Sequence, residues 1–156
     1  MIRAGAVLLA ALLPVAASSA ACDRGPARPA GIQRDVDACA SCRMVISDTR
    51  TAAQVAVPGQ EPRFYDDPVC LRRGLRADAP LPARALVFIV DYRTGEWEPA
   101  ADAVFVRLPG VETPMASHWV AYADESSRRL DPQIEGAEAL PAAAFLAAGD
   151  EEEVRR

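Results

Sequence analysis

Lysine is missing from this 156-residue chain; all 17 basic residues are arginine, set against 22 acidic residues for a net charge of −5. The arginines do not gather into a stripe and the balance is acidic, so nucleic acid is not an expected partner. Aromatic residues are scarce at 6%. Histidine occurs once, as His118, and methionine only as Met1, Met44 and Met115. Past the first 21 residues no apolar run approaches the ~20 residues that a membrane-spanning helix needs. The chain is long enough for one modest domain or two small ones. Its 51% hydrophobic content can bury a core, much of it from Ala and Val.

The N-terminus has the layout of a secretory signal peptide. Arg3 gives a short positive region, Ala4 to Val15 an apolar one, and Ala16 to Ala21 a run of small residues. Residues 1–21 are therefore expected to be removed, leaving Cys22 at the new N-terminus. Ser19-Ala20-Ala21-Cys22 resembles a bacterial lipobox, with Ser19 where Leu is usual. Lipidation of Cys22 would remove an exposed thiol that oxidation otherwise threatens. The expected location is the periplasm, anchored to a membrane, with Asp23 favouring the inner one by analogy with lipoproteins of enteric bacteria.

Residues 22–37, with Pro26, Pro29 and Gly31 among charged and small side chains, read as a flexible tether. The folded part is expected over 38–149, with a disordered tail at 150–156. Strand-like stretches fall at Met44 to Ile46, Thr51 to Val57 and Arg63 to Tyr65. Asp66-Asp67-Pro68 reads as a helix start, with the helix running to about Leu75. A connector at Ala79 to Pro82 leads to strands at Leu86 to Tyr92, Ala103 to Val106 and His118 to Ala123. A hairpin turn falls at Arg93 to Glu96, a helix start at Asp124-Glu125, and a last helix over Pro141 to Ala148. Tyr65-Asp66-Asp67 with Arg72 lies over Tyr122-Ala123-Asp124 with Arg129. This echo supports two strand–strand–helix modules, about 38–78 and 84–149. The fold class is α+β with mainly antiparallel strands.

Scarcity directs attention to two segments, Cys39-Ala40-Ser41-Cys42-Arg43-Met44 and Thr113-Pro114-Met115-Ala116-Ser117-His118. Almost every soft or imidazole ligand of the mature chain lies in one of them. The strand and helix faces use Val, Leu, Ala and Ile as fillers, so Met44 and Met115 are not needed as core. Thiolate and thioether donors together favour Cu(I), which accepts two or three soft ligands. The candidate ligands are Cys42, Met115, Cys39, Met44 and His118. Cys70 falls on the first helix, where cysteine reads as a small buried hydrophobe. Asp66-Asp67 reads as a cap and not as a catalytic pair. Two other readings of the same residues stay open. One is a thiol–disulfide oxidoreductase using Cys39 and Cys42. The other is a structural zinc site using Cys39, Cys42, Cys70 and His118.

In series, four segments resemble the NosL family of accessory lipoproteins for nitrous oxide reductase. They are Cys39-x-x-Cys42-Arg43-Met44-Val45-Ile46, Phe64-Tyr65-Asp66-Asp67-Pro68-Val69-Cys70, Asp91-Tyr92-Arg93-Thr94-Gly95-Glu96-Trp97, and Thr113-Pro114-Met115-Ala116-Ser117 leading to Tyr122 and Glu125. The resemblance implies a Cu(I) chaperone and not an enzyme. Its implied partners are a copper-enzyme client, nitrous oxide reductase, and membrane-bound maturation machinery. It also implies Cys42 and Met115 as ligands, and two small ββα-type modules. Arg43 and Ala116 stand where that family usually has Gly, a residue that reaches backbone conformations other side chains enter at a cost.

Overall fold

The computed structural model describes residues 25–149. The signal peptide, Cys22 with its lipidation, Asp23 and the tail at 150–156 lie outside them. The order is β1 (Ala53–Ala56), β2 (Arg63–Tyr65), α1 (Pro68–Ala77), β3 (Leu86–Val90) and β4 (Trp97–Pro99). Then come β5 (Val104–Arg107), β6 (Trp119–Tyr122), α2 (Glu125–Arg129), β7 (Glu138–Pro141) and α3 (Ala142–Ala147). The class is the expected one, α+β, and every pairing between these strands is antiparallel.

Two sheets form, in the orders β2-β1-β3-β4 and β6-β5-β7. The first strand of each set lies in the middle, its second strand on one side and its third on the other. A helix follows the second strand both times. The chain is thus a ββαβ unit written twice, with β4 added to the outer edge of β3. The sheets divide the chain differently from the expected halves, because β3 and β4 complete the first sheet. The physical reason is the free edge of β1, which the apolar run Phe88-Ile89-Val90 covers by pairing Ile89 opposite Ala53.

Local chemistry sets the element ends. Asp67 precedes Pro68 and its Oδ1 accepts the Val69 amide at 2.8 Å, a side-chain cap with Pro at the first helical position. The helix runs to Ala77, two residues past the expected end. Asp124 caps α2 in the same way, accepting the Ser127 amide at 2.7 Å. Gly74 in α1 is a packing glycine, since a Cβ there would lie 2.3 Å from the Tyr65 ring. Pro141, expected inside the last helix, instead ends β7, and α3 begins at Ala142. β7 lies at the sheet's edge, where a residue without an amide hydrogen is tolerated.

The main core joins both sheets and α1. Phe105 stacks on Phe145 with ring centroids 4.1 Å apart, and Trp119 tilts against Phe145 at 5.0 Å. Such pairs contribute about 0.5–1.5 kcal/mol beyond their buried area. Residues 25–37, expected within the tether, run along this body. Ala30 exchanges two hydrogen bonds with the buried Gln54 side chain, at 2.9 and 3.0 Å, and Arg84 reaches the Gly25 carbonyl at 2.8 Å. Among the described residues, no helix is long and apolar enough to cross a membrane.

Candidate metal site

Residues 39–44 form a tight turn beside the first sheet. The Cys39 amide donates to the Met44 carbonyl at 2.8 Å and the Arg43 amide to the Cys39 carbonyl at 3.0 Å. The Ala40 amide docks the turn on the edge of β2, donating to the Phe64 carbonyl at 2.7 Å. Arg43 takes φ +68°, the left-handed region where glycine is at ease.

The second unit repeats this turn at Asp91–Glu96. The Asp91 amide donates to the Glu96 carbonyl at 2.9 Å, and the Gly95 amide to the Asp91 carbonyl at 2.8 Å. Tyr92 docks on β6 through the Ala121 carbonyl at 2.8 Å. Gly95, at φ +78°, takes the place of Arg43. Cys39 therefore matches Asp91 and Cys42 matches Thr94. The register of the two strand ends matches Asp66 to Ala123 and Cys70 to Ser127. In the second unit one carboxylate closes the turn. Asp91 accepts the amides of Arg93, Thr94 and Ala123 at 3.0, 2.9 and 2.8 Å and the Ser127 hydroxyl at 2.5 Å. In the first unit the Cys39 sulfur takes the corresponding place, with Cys42, Asp66 and Cys70 around it.

The result is a cluster of four donors. The sulfurs of Cys39, Cys42 and Cys70 and a carboxylate oxygen of Asp66 all lie within 4.8 Å of one another. All three thiols are free. Cys39, Cys70 and Asp66 are buried, while Cys42 is half-buried and opens the cluster to solvent. The Cys42 thiol donates to Asp66 Oδ2 at 3.2 Å, whereas the buried Oδ1 of Asp66 has no hydrogen-bond partner. A buried carboxylate oxygen without a partner is costly unless something binds it. Three soft donors and one carboxylate oxygen at this spacing can hold a metal ion.

Protonation within the cluster is uneven. The Cys70 thiol beside Cys39 and the amides of Cys42 and Asp66 hold Cys39 down to about 6, against the opposing effect of burial. Burial, with Asp66 and Cys39 close by, pushes Cys42 up to about 11. Cys70 is raised because it donates its proton to Cys39 and is buried. Cys39 is thus the thiol most readily ionised, while Cys42 and Cys70 hold protons that a metal would displace.

The expected ligands are placed as follows. Cys39 and Cys42 come together with Cys70, a ligand only in the zinc alternative of the sequence analysis, and with Asp66, read there as part of a cap. Asp67 alone is the cap. Met44 is 42% exposed at the end of the turn. Met115 is half-buried and packs on the core cluster that contains Cys39 and Cys70. Its amide donates to Asp67 Oδ2 at 3.1 Å. His118 is not in the four-donor group. Its Nδ1 lies 2.8 Å from the Val111 carbonyl, which fixes the ring. The signal for Cys70 was present in the internal repeat, since Cys70 falls where Ser127 closes the second turn; Asp66, which matches Ala123, had none.

Fold and site together define a small α+β protein of two similar units with a thiol-rich cluster that can hold a metal ion. No protein-family model matches the chain, and comparison with curated proteins and with solved structures finds no match.

Proposed function

We propose that this protein is a Cu(I) carrier of the NosL kind and not an enzyme. In this reading it is exported, anchored in the periplasm through Cys22, and hands copper to a copper enzyme, with nitrous oxide reductase the recipient that the resemblance implies. The observation that carries the metal part is the convergence of Cys39, Cys42 and Cys70 with a carboxylate oxygen of the buried Asp66. Three sulfurs suit a soft monovalent ion that accepts two or three ligands. Cys42, at the open side, is the donor that a client's ligand meets first. Met115 would supply a thioether from the neighbouring loop, and Met44, exposed at the end of the cysteine turn, would serve as an exchange ligand. A lipid tether would raise the carrier's concentration near membrane-bound partners.

Asp66 favours a second reading. A carboxylate oxygen is a poor Cu(I) ligand, while three sulfurs and one oxygen complete a tetrahedron for Zn(II). Anaerobic titration of the reduced protein with Cu(I) and with Zn(II), each against a chromophoric chelator, separates the two. The carrier reading expects one Cu(I) per chain, preferred over Zn(II), and weaker Cu(I) binding in Met115→Ala. Preference for Zn(II), with Met115→Ala unchanged, favours the zinc site. A dithiol that cycles with small disulfides and takes up neither metal favours the oxidoreductase.

A further inference from the structure

The loop carrying Met115 is fastened to the same two-residue bend that carries Asp66. Ser117 Oγ donates to the Asp67 carboxylate, 2.8 Å from Oδ1 and 3.0 Å from Oδ2, and the Met115 amide reaches Oδ2 at 3.1 Å. The same carboxylate caps the helix on which Cys70 sits. Asp67 is fully buried. Within the loop, Thr113 Oγ1 accepts the amides of Ser117 and His118 at 3.0 and 3.1 Å. Ala116 and His118 sit at φ +51° and +61°, a region that side-chain-bearing residues hold only when their surroundings enforce it. The second cap, Asp124, shows how little a cap alone requires, because its side chain takes the Ser127 amide at the start of α2. Asp67 thus does more than end a helix. It ties a strained loop of the second unit to the thiol cluster of the first.

We propose that Asp67 is a positioning residue for the metal, holding the Met115 thioether beside the three thiols through Ser117 and the Met115 amide. The proposal rests on the Cu(I) reading and adds to it the device that brings the two expected segments together. Sulfur donors alone would then bind metal without the latch, and the thioether's share would depend on it.

Cu(I) affinity, by competition with a chromophoric chelator, and Cd(II) affinity, from thiolate-to-metal absorption, are measured on the reduced full chain. The variants are Ser117→Ala, Ser117→Thr, Met115→Leu and Ser117→Ala with Met115→Leu, with Cd(II) stoichiometry and cooperative unfolding as the folding control. Ser117→Ala removes a hydrogen bond to a charged group and is expected to weaken Cu(I) roughly tenfold. Met115→Leu weakens it at least as much, and the double variant is no worse than Met115→Leu alone. Cd(II) affinity stays at the wild-type value, and Ser117→Thr, which keeps the hydroxyl, retains Cu(I) affinity. Additive losses, parallel losses for both metals, or wild-type Cu(I) affinity in Ser117→Ala overturn the latch and leave the thiol site standing. A wild-type protein that takes up Cd(II) but not Cu(I) overturns the carrier reading and the latch with it.

Discussion

Cys39 and Asp91 occupy matching places in two copies of one turn, and the comparison says what each cysteine of the site can lose. Ser127 already stands where Cys70 stands, donating its hydroxyl to the closing carboxylate at 2.5 Å. Cys70→Ser is therefore expected to fold with a stability change within about 1 kcal/mol, the usual net worth of one hydrogen bond. It should lose most of its affinity for soft metals, as thermal unfolding and Cu(I) titration on the same sample would show. Cys39 and Cys42 also make the metal-free protein's stability depend on pH in two directions. Cys39 is depressed to about 6 from an ordinary 9.0, so between those values the unfolded chain holds the extra proton and stability rises with pH. Cys42 is raised to about 11 and Cys70 is raised too, so above pH 9 the folded form holds the extra protons and stability falls. Denaturant midpoints of the reduced, metal-free protein should peak at about pH 8–9. A flat or falling profile from pH 6 to 8 would contradict the assignment of the thiolate to Cys39.

Turns and caps fix the elements, and two turns carry strain. Arg43 at φ +68° holds a conformation that Gly95 holds at no steric cost in the matching turn, and Ala116 at φ +51° lies in the same left-handed region. Arg43→Gly and Ala116→Gly are each expected to stabilise the protein by about 0.5–1 kcal/mol. Chemical denaturation measures this, and destabilisation by either would mean that the glycine's freedom in the unfolded chain outweighs the relief. Much at this scale was legible in advance. Pro68 behind Asp67, the β-branched and aromatic run at Leu86–Val90, and Gly95 in the hairpin all act locally, so they announce themselves in sequence. Pro141 misled because a proline one residue before a helix and a proline at its first turn look alike. β7 is short and half-exposed, with no apolar alternation to mark it.

On the scale of the whole molecule, the thiol cluster is one of two versions of the same local structure. Two ββαβ units share a turn, a docking bond and a capped helix, and the first unit has sulfur where the second has oxygen. That equivalence was only faintly legible, as the echo of Tyr65 to Arg72 in Tyr122 to Arg129. Asp66 was hidden, and Cys70 entered only the zinc alternative, because their places beside Cys39 come from the pairing of distant segments. Cys39 and Cys42 were found because their spacing is local. The second unit also supplies a template for removing the site without removing the fold. Cys39→Asp, Cys42→Thr, Asp66→Ala and Cys70→Ser together write the chemistry of Asp91, Thr94, Ala123 and Ser127 into the first turn. The most direct test of the account is the Cu(I) affinity of this fourfold variant, measured anaerobically beside its unfolding transition. The account predicts cooperative unfolding and no Cu(I) uptake above background. A folded variant that still binds Cu(I) as the wild type does would place the metal elsewhere.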